Sequence, residues 1–191
     1  YSSAASDVYK RQLQTHYVDG PVTLTNNGHT IQAGEQANTR DTLTLDKQTW
    51  TLQQFHFHAP SENTVHGKRY AMEMHLVHKN ASGELTVVAV MFDKGTANPE
   101  LEKLWRVMPQ QAEQNVSTKQ DLNLNKLLPK NKTYWRFSGS LTTPPCSEGV
   151  TWIVLKQPLT VSAEQLARFT QTMHHDNNRP VQSLHGRVVV E

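Results

Sequence analysis

The sequence predicts a β-dominated α+β domain of mostly antiparallel strands with a few peripheral helices. Two observations favour this fold class. Seven segments have strand-like patterns, most of them alternating apolar and polar residues, whereas two segments carry the apolar stripe of a helix. With 191 residues, the chain suits a single domain and is long enough to bury a core.

The predicted strands follow one another without an internal repeat or a linker that would divide two domains. Their residue types and period of two are typical of strands. They are HTIQAG (29–34), TLTLD (42–46), WTLQQFHFHA (50–59), YAMEMHLVHK (70–79), ELTVVAVMFD (84–93), TYWRFSGSL (133–141) and VTWIVLK (150–156).

Two helices are predicted from their capping residues. Asn98 and Pro99 open the first, and Pro109 ends it. Ser162 and Gln165 form the capping box of the second, which runs toward residue 175. We expect both helices to lie at the edges of the sheet structure.

Composition excludes several classes of partner. The 19 basic and 17 acidic residues are dispersed, so no nucleic-acid surface is indicated. The apolar stretches have the length of strands, so no membrane span is expected. Ten histidines against the single Cys146 favour a metal held by nitrogen and oxygen.

The first residues differ from the rest of the chain. YSSAASDVYKRQ (1–12) has no periodicity and no apolar stretch of a signal peptide. We predict that residues 1–12 are non-native or disordered and that residues 13–191 form a single domain.

Two histidines lie on one face of a predicted strand. Because side chains alternate along a strand, Gln54, His56 and His58 share a surface, and Phe55 and Phe57 share the other. The apolar face suits the core. The histidine face therefore looks either into water or at a ligand of imidazole.

A second strand offers a third imidazole. In AMEMHLVH, Glu73 and His75 share one face, and a polar loop long enough to allow antiparallel pairing separates the two strands. Three neutral imidazoles leave zinc an open fourth position, as in catalytic sites. Gln54 and Glu73 lie two residues before a histidine, where they can orient these rings.

Four blocks of the chain resemble the alpha-class carbonic anhydrases. The blocks are NNGHTIQ, QFHFHAPSENT with MEMHLVH, FSGSLTTPPC and DNNRPVQ, and the resemblance runs from about Tyr17 to Val190. It implies a large, mostly antiparallel twisted central sheet with peripheral helices. It also implies reversible hydration of carbon dioxide to bicarbonate and a proton, by attack of a zinc-bound hydroxide.

The resemblance assigns roles to individual residues. Thr142 would give its hydroxyl proton to Glu62 and accept a hydrogen bond from the nucleophile, and His29 would be the proton shuttle. The implied Zn²⁺ ligands are His56, His58 and His75, oriented by Gln54, Glu73 and the backbone carbonyl of Asn177. The implied substrate pocket is Val77, Val87, Leu141, Thr143, Val150 and Trp152, with ordered water held by Asn26, Asn27 and Gln32. The remaining histidines have no implied role and are expected at the surface: His16, His66, His78, His174, His175 and His185.

The chain also departs from the family pattern. The Trp-Gly-Tyr and Gln-Ser-Pro-Ile segments with which the family begins are not found in this sequence. Secreted bacterial members pair a cysteine at the position of Cys146 with one in that part of the chain, so the resemblance implies a periplasmic or secreted parent. It further implies inhibition by sulfonamides and anions, and leaves a homodimer open.

Two alternative functions start from the same residues. HFHAPSE satisfies the opening of a cupin metal motif, but no second cupin block follows Glu62. A carbonic anhydrase-like binding domain without zinc would typically lose a ligand histidine, and all three are present. Carbonic anhydrase activity is therefore the favoured prediction.

Overall fold

The computed structural model of the chain describes residues 13–34 and 40–191. The segment predicted to be non-native or disordered, residues 1–12, lies outside the described residues. The strands are β1 Gln14–His16, β2 Thr23–Asn26, β3 Ile31–Gly34, β4 Thr42–Leu45, β5 Gln48–His58, β6 Thr64–Val65, β7 Lys68–Arg69, β8 Met72–Lys79, β9 Leu85–Lys94, β10 Gln114–Ser117, β11 Tyr134–Ser140, β12 Glu148–Leu155 and β13 Leu159–Val161.

Two α-helices lie in the described part of the chain, α1 (Pro99–Trp105) and α2 (Ala163–Met173), with a 3-10 turn at Leu124–Leu127. Both begin where the sequence predicts. The Asn98 side chain accepts hydrogen bonds from the first backbone N–H groups of α1, and the capping box at the start of α2 is present. No described helix has the length and apolarity that crossing a bilayer requires.

Eleven strands form one large sheet, with β6 and β7 as a separate hairpin. The central order is β10-β2-β3-β5-β8-β9-β12-β11; β4 joins β1 to β5, and β13 pairs with β9. Parallel pairing is confined to β9 with β12 and β9 with β13 among the described strands. The prediction of a β-dominated, mostly antiparallel fold is confirmed.

The two faces of the sheet carry different kinds of residue. One face packs against the helices, where Phe57 contacts the Trp105 ring at 5.0 Å and Trp105 stacks on Phe169 at 5.6 Å. Such aromatic pairs add to the free energy of burial. The opposite face carries His56, His58 and His75 beside a smaller apolar cluster, so alternation along β5 and β8 separates the core from the candidate site.

Candidate metal centre

Three histidine rings converge on one face of neighbouring strands. β5 and β8 pair antiparallel with His56 directly opposite His75, and His58 lies two residues further along β5. The ring centroids are 5.0 Å apart for His56 and His58, 5.3 Å for His56 and His75, and 4.7 Å for His58 and His75. All three residues are buried. The register of the two strands therefore brings together the imidazoles that the sequence singled out.

Each ring holds one nitrogen against a hydrogen-bond acceptor. His56 Nδ1 lies 2.8 Å from Gln54 Oε1, His58 Nδ1 lies 3.0 Å from the carbonyl oxygen of Asn177, and His75 Nε2 lies 2.8 Å from Glu73 Oε1. A carbonyl or carboxylate oxygen only accepts, so each of these nitrogens carries the ring proton.

The other nitrogen of each neutral ring then has a free lone pair. The three rings together offer ligand atoms within 4.8 Å of one another, and His58 Nε2 is buried without a partner among the described residues. The free atoms are Nε2 of His56, Nε2 of His58 and Nδ1 of His75. Three nitrogens with their outer positions fixed fit a zinc ion that keeps a fourth coordination position.

Burial keeps two of the rings neutral. It lowers the pKa of His56 well below its ordinary value, and the neighbouring His75 and His58 lower it further. Burial and His75 also lower the pKa of His58, against a weaker opposing effect of Glu62. Since a metal ligand must offer a lone pair, this environment favours the coordinating form of both rings.

His75 differs because it faces a carboxylate. Burial alone would lower the pKa of His75, but Glu73 at 2.8 Å outweighs it and raises that pKa. Burial opposes ionisation of Glu73 as well, yet His75 and hydrogen bonds from Asn63 lower the pKa of Glu73 to about 2. The Glu73 carboxylate is therefore charged at neutral pH and aligns the His75 ring.

Glu62 and Thr142 border the same space without the expected contact. Glu62 Oε1 accepts a hydrogen bond from Arg179 N at 3.0 Å and lies 3.2 Å from His58 Nδ1. Its Oε2 is buried without a hydrogen-bond partner among the described residues and lies 3.9 Å from His75 Nδ1. The hydrogen bond predicted from Thr142 to Glu62 is thus not formed. Both side chains line one cavity, and the gatekeeping role of Thr142 stays a prediction.

The predicted apolar wall lies on the same face as the histidines. Val77, Val87, Val150 and Trp152 belong to one buried cluster, against which Leu141 packs. The Trp152 ring meets the His75 ring at 4.9 Å between centroids, so the cluster touches the site directly.

Thr143, also predicted for this pocket, is exposed on the loop between β11 and β12.

A cavity of about 440 Å³ adjoins the site. Its lining includes Glu62 and Trp152, which contact the histidines, together with Thr142, Trp135 and Arg179. None of the three histidines lines it. The metal centre is therefore located by the positions of the histidine nitrogens and not by the cavity.

The proposed proton-transfer residue lies in an exposed turn. His29 precedes β3, and its side chain is exposed. β3 pairs with β5 so that Gln32 lies opposite His56. The turn therefore stands beside the strand that carries two of the three candidate ligands.

Two asparagines build this turn. Asn27 Oδ1 accepts from His29 N at 2.9 Å, and Asn26 Oδ1 accepts from Gly28 N at 2.9 Å. Asn26 Nδ2 also donates to the Pro109 carbonyl, and the residue is only 2 % exposed. The side chains of Asn26 and Asn27 thus shape the backbone around His29, and their role in holding ordered water stays a prediction.

Sequence reasoning missed Asn63 and misplaced His78. Asn63 donates to both oxygens of Glu73, from its backbone N at 2.8 Å and its Nδ2 at 2.6 Å. Its position directly after Glu62 in the polar loop was the available signal. His78 was expected at the surface, but it is fully buried on the helix-side face of β8 because Tyr17 covers it.

The fold and the donor set first define a class: a β-sheet protein with a three-histidine site suited to zinc. A family model described as eukaryotic-type carbonic anhydrase matches residues 2–191. The chain therefore belongs to the carbonic anhydrase family, which is a family of zinc enzymes. This confirms the predicted class of enzyme, and the cupin alternative is wrong.

Individual relatives agree with the family assignment. A carbonic anhydrase of Klebsiella pneumoniae is 69 % identical over 179 residues, which are 94 % of this chain and 73 % of that protein. The alpha-carbonic anhydrase of Thermovibrio ammonificans, solved with the inhibitor sulfanilamide, superposes with a TM-score of 0.91 at 49 % identity, covering 94 % of this chain and 78 % of that one. A carbonic anhydrase of Chlamydomonas reinhardtii, solved with acetazolamide, gives 0.87 at 36 % identity, with 94 % and 82 % covered.

Proposed function

We propose that this chain catalyses the reversible hydration of carbon dioxide to bicarbonate and a proton, with zinc held by His56, His58 and His75. The observation that carries the proposal is the set of three buried imidazoles whose outer nitrogens are all held by acceptors. In carbonic anhydrases, the family in which this value is established, such a zinc ion lowers the pKa of its water to about 7 and supplies a nucleophile at neutral pH.

The residues around the histidines have separate tasks in this proposal. Gln54, Glu73 and the Asn177 carbonyl fix the ring orientations, which preserves the lone-pair geometry through each turnover. The apolar cluster that contains Val77 and Trp152 provides a dry surface suited to a small apolar substrate.

Thr142 is the candidate for orienting the reacting groups. Its hydroxyl has one proton to donate and two lone pairs to accept with. If that proton goes to the buried, unpartnered Glu62 Oε2, the hydroxyl can only accept from the nucleophile. This hydrogen bond is not formed in the structure, so it requires a rearrangement of Thr142 or Glu62.

His29 is the candidate for exporting the proton. Each cycle releases one proton, and histidine titrates near neutral pH. The exposed side chain of His29, on a turn beside β5, supports this role. His29→Ala should lower kcat and recover with added imidazole buffer; failure of the buffer to restore turnover would refute the role.

The zinc proposal is tested by comparing metal content with activity. The His56→Ala variant should lose bound zinc and carbon dioxide hydration together, because one of three lone pairs is removed. A sulfonamide should block the wild-type activity. Hydration that persists in His56→Ala would contradict the ligand assignment.

A carbonic anhydrase-like binding domain without activity is the second candidate. It predicts a chain that folds normally yet lacks zinc-dependent hydration. The convergence of three intact imidazoles favours the enzyme. Zinc at one equivalent without hydration activity would favour the binding domain instead.

A further inference from the structure

Asn177 makes contacts that its predicted role does not use. It follows helix α2 in the segment that crosses the end of β5, and it is half-buried. Its backbone carbonyl accepts from His58 Nδ1 at 3.0 Å, which is the ring-orienting contact already described. Its side chain is free of that contact and forms a second set of hydrogen bonds.

The carboxamide of Asn177 binds the end of β5. Its Oδ1 accepts from Ala59 N at 2.8 Å, and its Nδ2 donates to the Phe57 carbonyl at 2.9 Å. These two bonds fix the plane of the amide against the backbone on either side of His58. The position of Asn177 is therefore tied to the same stretch of strand that carries a candidate zinc ligand.

The second Nδ2 proton reaches the turn before β3. Asn177 Nδ2 donates to the His29 carbonyl at 3.0 Å, across 148 positions of sequence. The turn has its own internal bonds through Asn27, which set its shape. Thr30 attaches it to β5 by a hydrogen bond to the Phe57 carbonyl, and Asn177 attaches it directly at His29.

We propose that Asn177 is a positioning residue for proton transfer, whose carboxamide fixes the turn carrying His29 relative to the metal centre. This proposal rests on the proposed function of His29. The physical reason is that transfer through a chain of solvent depends on the distance between donor and acceptor, and a turn held at one backbone carbonyl moves less.

The test compares Asn177→Asp with Asn178→Ala. The aspartate keeps an acceptor for Ala59 N and leaves the backbone carbonyl for His58, but it loses both Nδ2 donors. Asn178 is a matched control, since within the described part of the chain its side chain donates only to the Ser61 carbonyl, at 3.5 Å. Asn177→Ala provides a second variant in which no carboxylate faces the carbonyl groups.

Amide hydrogen exchange gives a readout that does not depend on activity. In Asn177→Asp and Asn177→Ala, the amides of Gly28, His29 and Thr30 should exchange at least several-fold faster than in the wild type and in Asn178→Ala, because the turn has lost an anchor. Unchanged exchange at these three amides in both Asn177 variants would overturn the proposal.

Steady-state kinetics separates positioning from general damage. In Asn177→Asp, kcat should fall roughly tenfold, less than in His29→Ala, with kcat/KM and zinc content retained and with recovery in imidazole buffer. Parallel loss of kcat, kcat/KM and zinc without recovery in buffer would contradict the proposal. If His29→Ala alone showed no loss that buffer restores, the proton-transfer role of His29 would fail, while the exchange result would still decide the anchoring role of Asn177.

Discussion

Two buried histidines on the same strand have opposite electrostatic environments. His75 and His78 lie three residues apart on β8, and each is at most 1 % exposed. His75 faces the metal centre with Glu73 at 2.8 Å, while His78 faces the helix side with the Tyr17 hydroxyl at 2.7 Å from its Nε2. The carboxylate raises the pKa of His75, whereas burial lowers the pKa of His78 to about 4.

The difference shows that the partner, and not the burial, decides what a buried imidazole can do. A carboxylate fixes one tautomer and makes the opposite nitrogen a better donor to a metal. A phenol stabilises a neutral ring but adds no charge. Burial raises the pKa of Tyr17, so its hydroxyl stays neutral while it is hydrogen-bonded to His78. His75 is therefore suited to binding a metal, whereas His78 packs the segment before β2 against the sheet.

The largest effect should separate the two histidines by metal binding. His75→Ala removes one of three ligand atoms, and zinc affinity should fall by more than the ~10–100-fold typical of losing an outer partner. Carbon dioxide hydration should be lost with the metal. His78→Gln is the matched change on the other face and should keep one zinc per chain. Equal zinc loss in His75→Ala and His78→Gln would show that the two histidines do not differ in metal binding.

The next effect concerns the pH dependence of stability. The folded pKa of His78 is about 4 and its unfolded value is 6.5, so the folded state binds fewer protons than the unfolded state. This contribution is fully present above pH ~6.5 and is lost as the pH falls toward ~4, a total of about 3 kcal/mol.

Urea unfolding of the zinc-free protein measures this contribution. His75 titrates in the opposite sense, since its raised pKa contributes stability that disappears as the pH rises. Subtracting the unfolding free energy of His78→Gln from that of the wild type cancels the contribution of His75. This difference in unfolding free energy should shrink as the pH falls from 6.5 to 4. A difference that stays constant over this range would contradict the lowered pKa of His78.

Glu73→Gln sharpens the comparison by removing the carboxylate that distinguishes His75. Zinc affinity should fall by ~10–100-fold, because the amide can still accept from His75 Nε2 but carries no charge. Competition with a chelator measures the change. Glu100→Gln is the control, since Glu100 is buried beside Lys103 away from the site. A loss of the same size in the control would show that the effect is not specific to the metal centre.

Tyr17→Phe tests the other partner and should have the smallest effect. Removing the hydroxyl leaves His78 Nε2 buried without its hydrogen-bond partner, which should cost about 1–3 kcal/mol of unfolding free energy. Tyr70→Phe serves as the control, and it should change the unfolding free energy by no more than ~0.5 kcal/mol. Zinc content should be unchanged in both variants. Equal stability of Tyr17→Phe and wild type would show that this contact contributes nothing.

The sequence predicted the metal face because strands have a fixed period. Alternation alone placed His56 and His58 together, and it placed Glu73 beside His75. The resemblance to a family supplied the Asn177 carbonyl. The two alternation patterns are local, whereas the Asn177 carbonyl lies 119 positions from His58. The structure contains the ring contacts of all three histidines.

Contacts between distant segments were not predictable from those patterns. Alternation assigned His78 to the face opposite the metal, but whether that face is covered depends on Tyr17, 61 positions away. Exposure was predicted for the other unassigned histidines and is confirmed for His16, His66, His174, His175 and His185. The Asn177 side chain was missed for the same reason, since its partners lie 118 to 148 positions away. Export of the parent protein stays a prediction.

X-ray absorption at the zinc edge of the zinc-loaded chain tests the central claim most directly. We predict three imidazole nitrogens at about 2.0–2.1 Å and one further light ligand. A spectrum with fewer than three imidazoles, or with sulfur from Cys146 bound to the metal, would contradict the three-histidine centre.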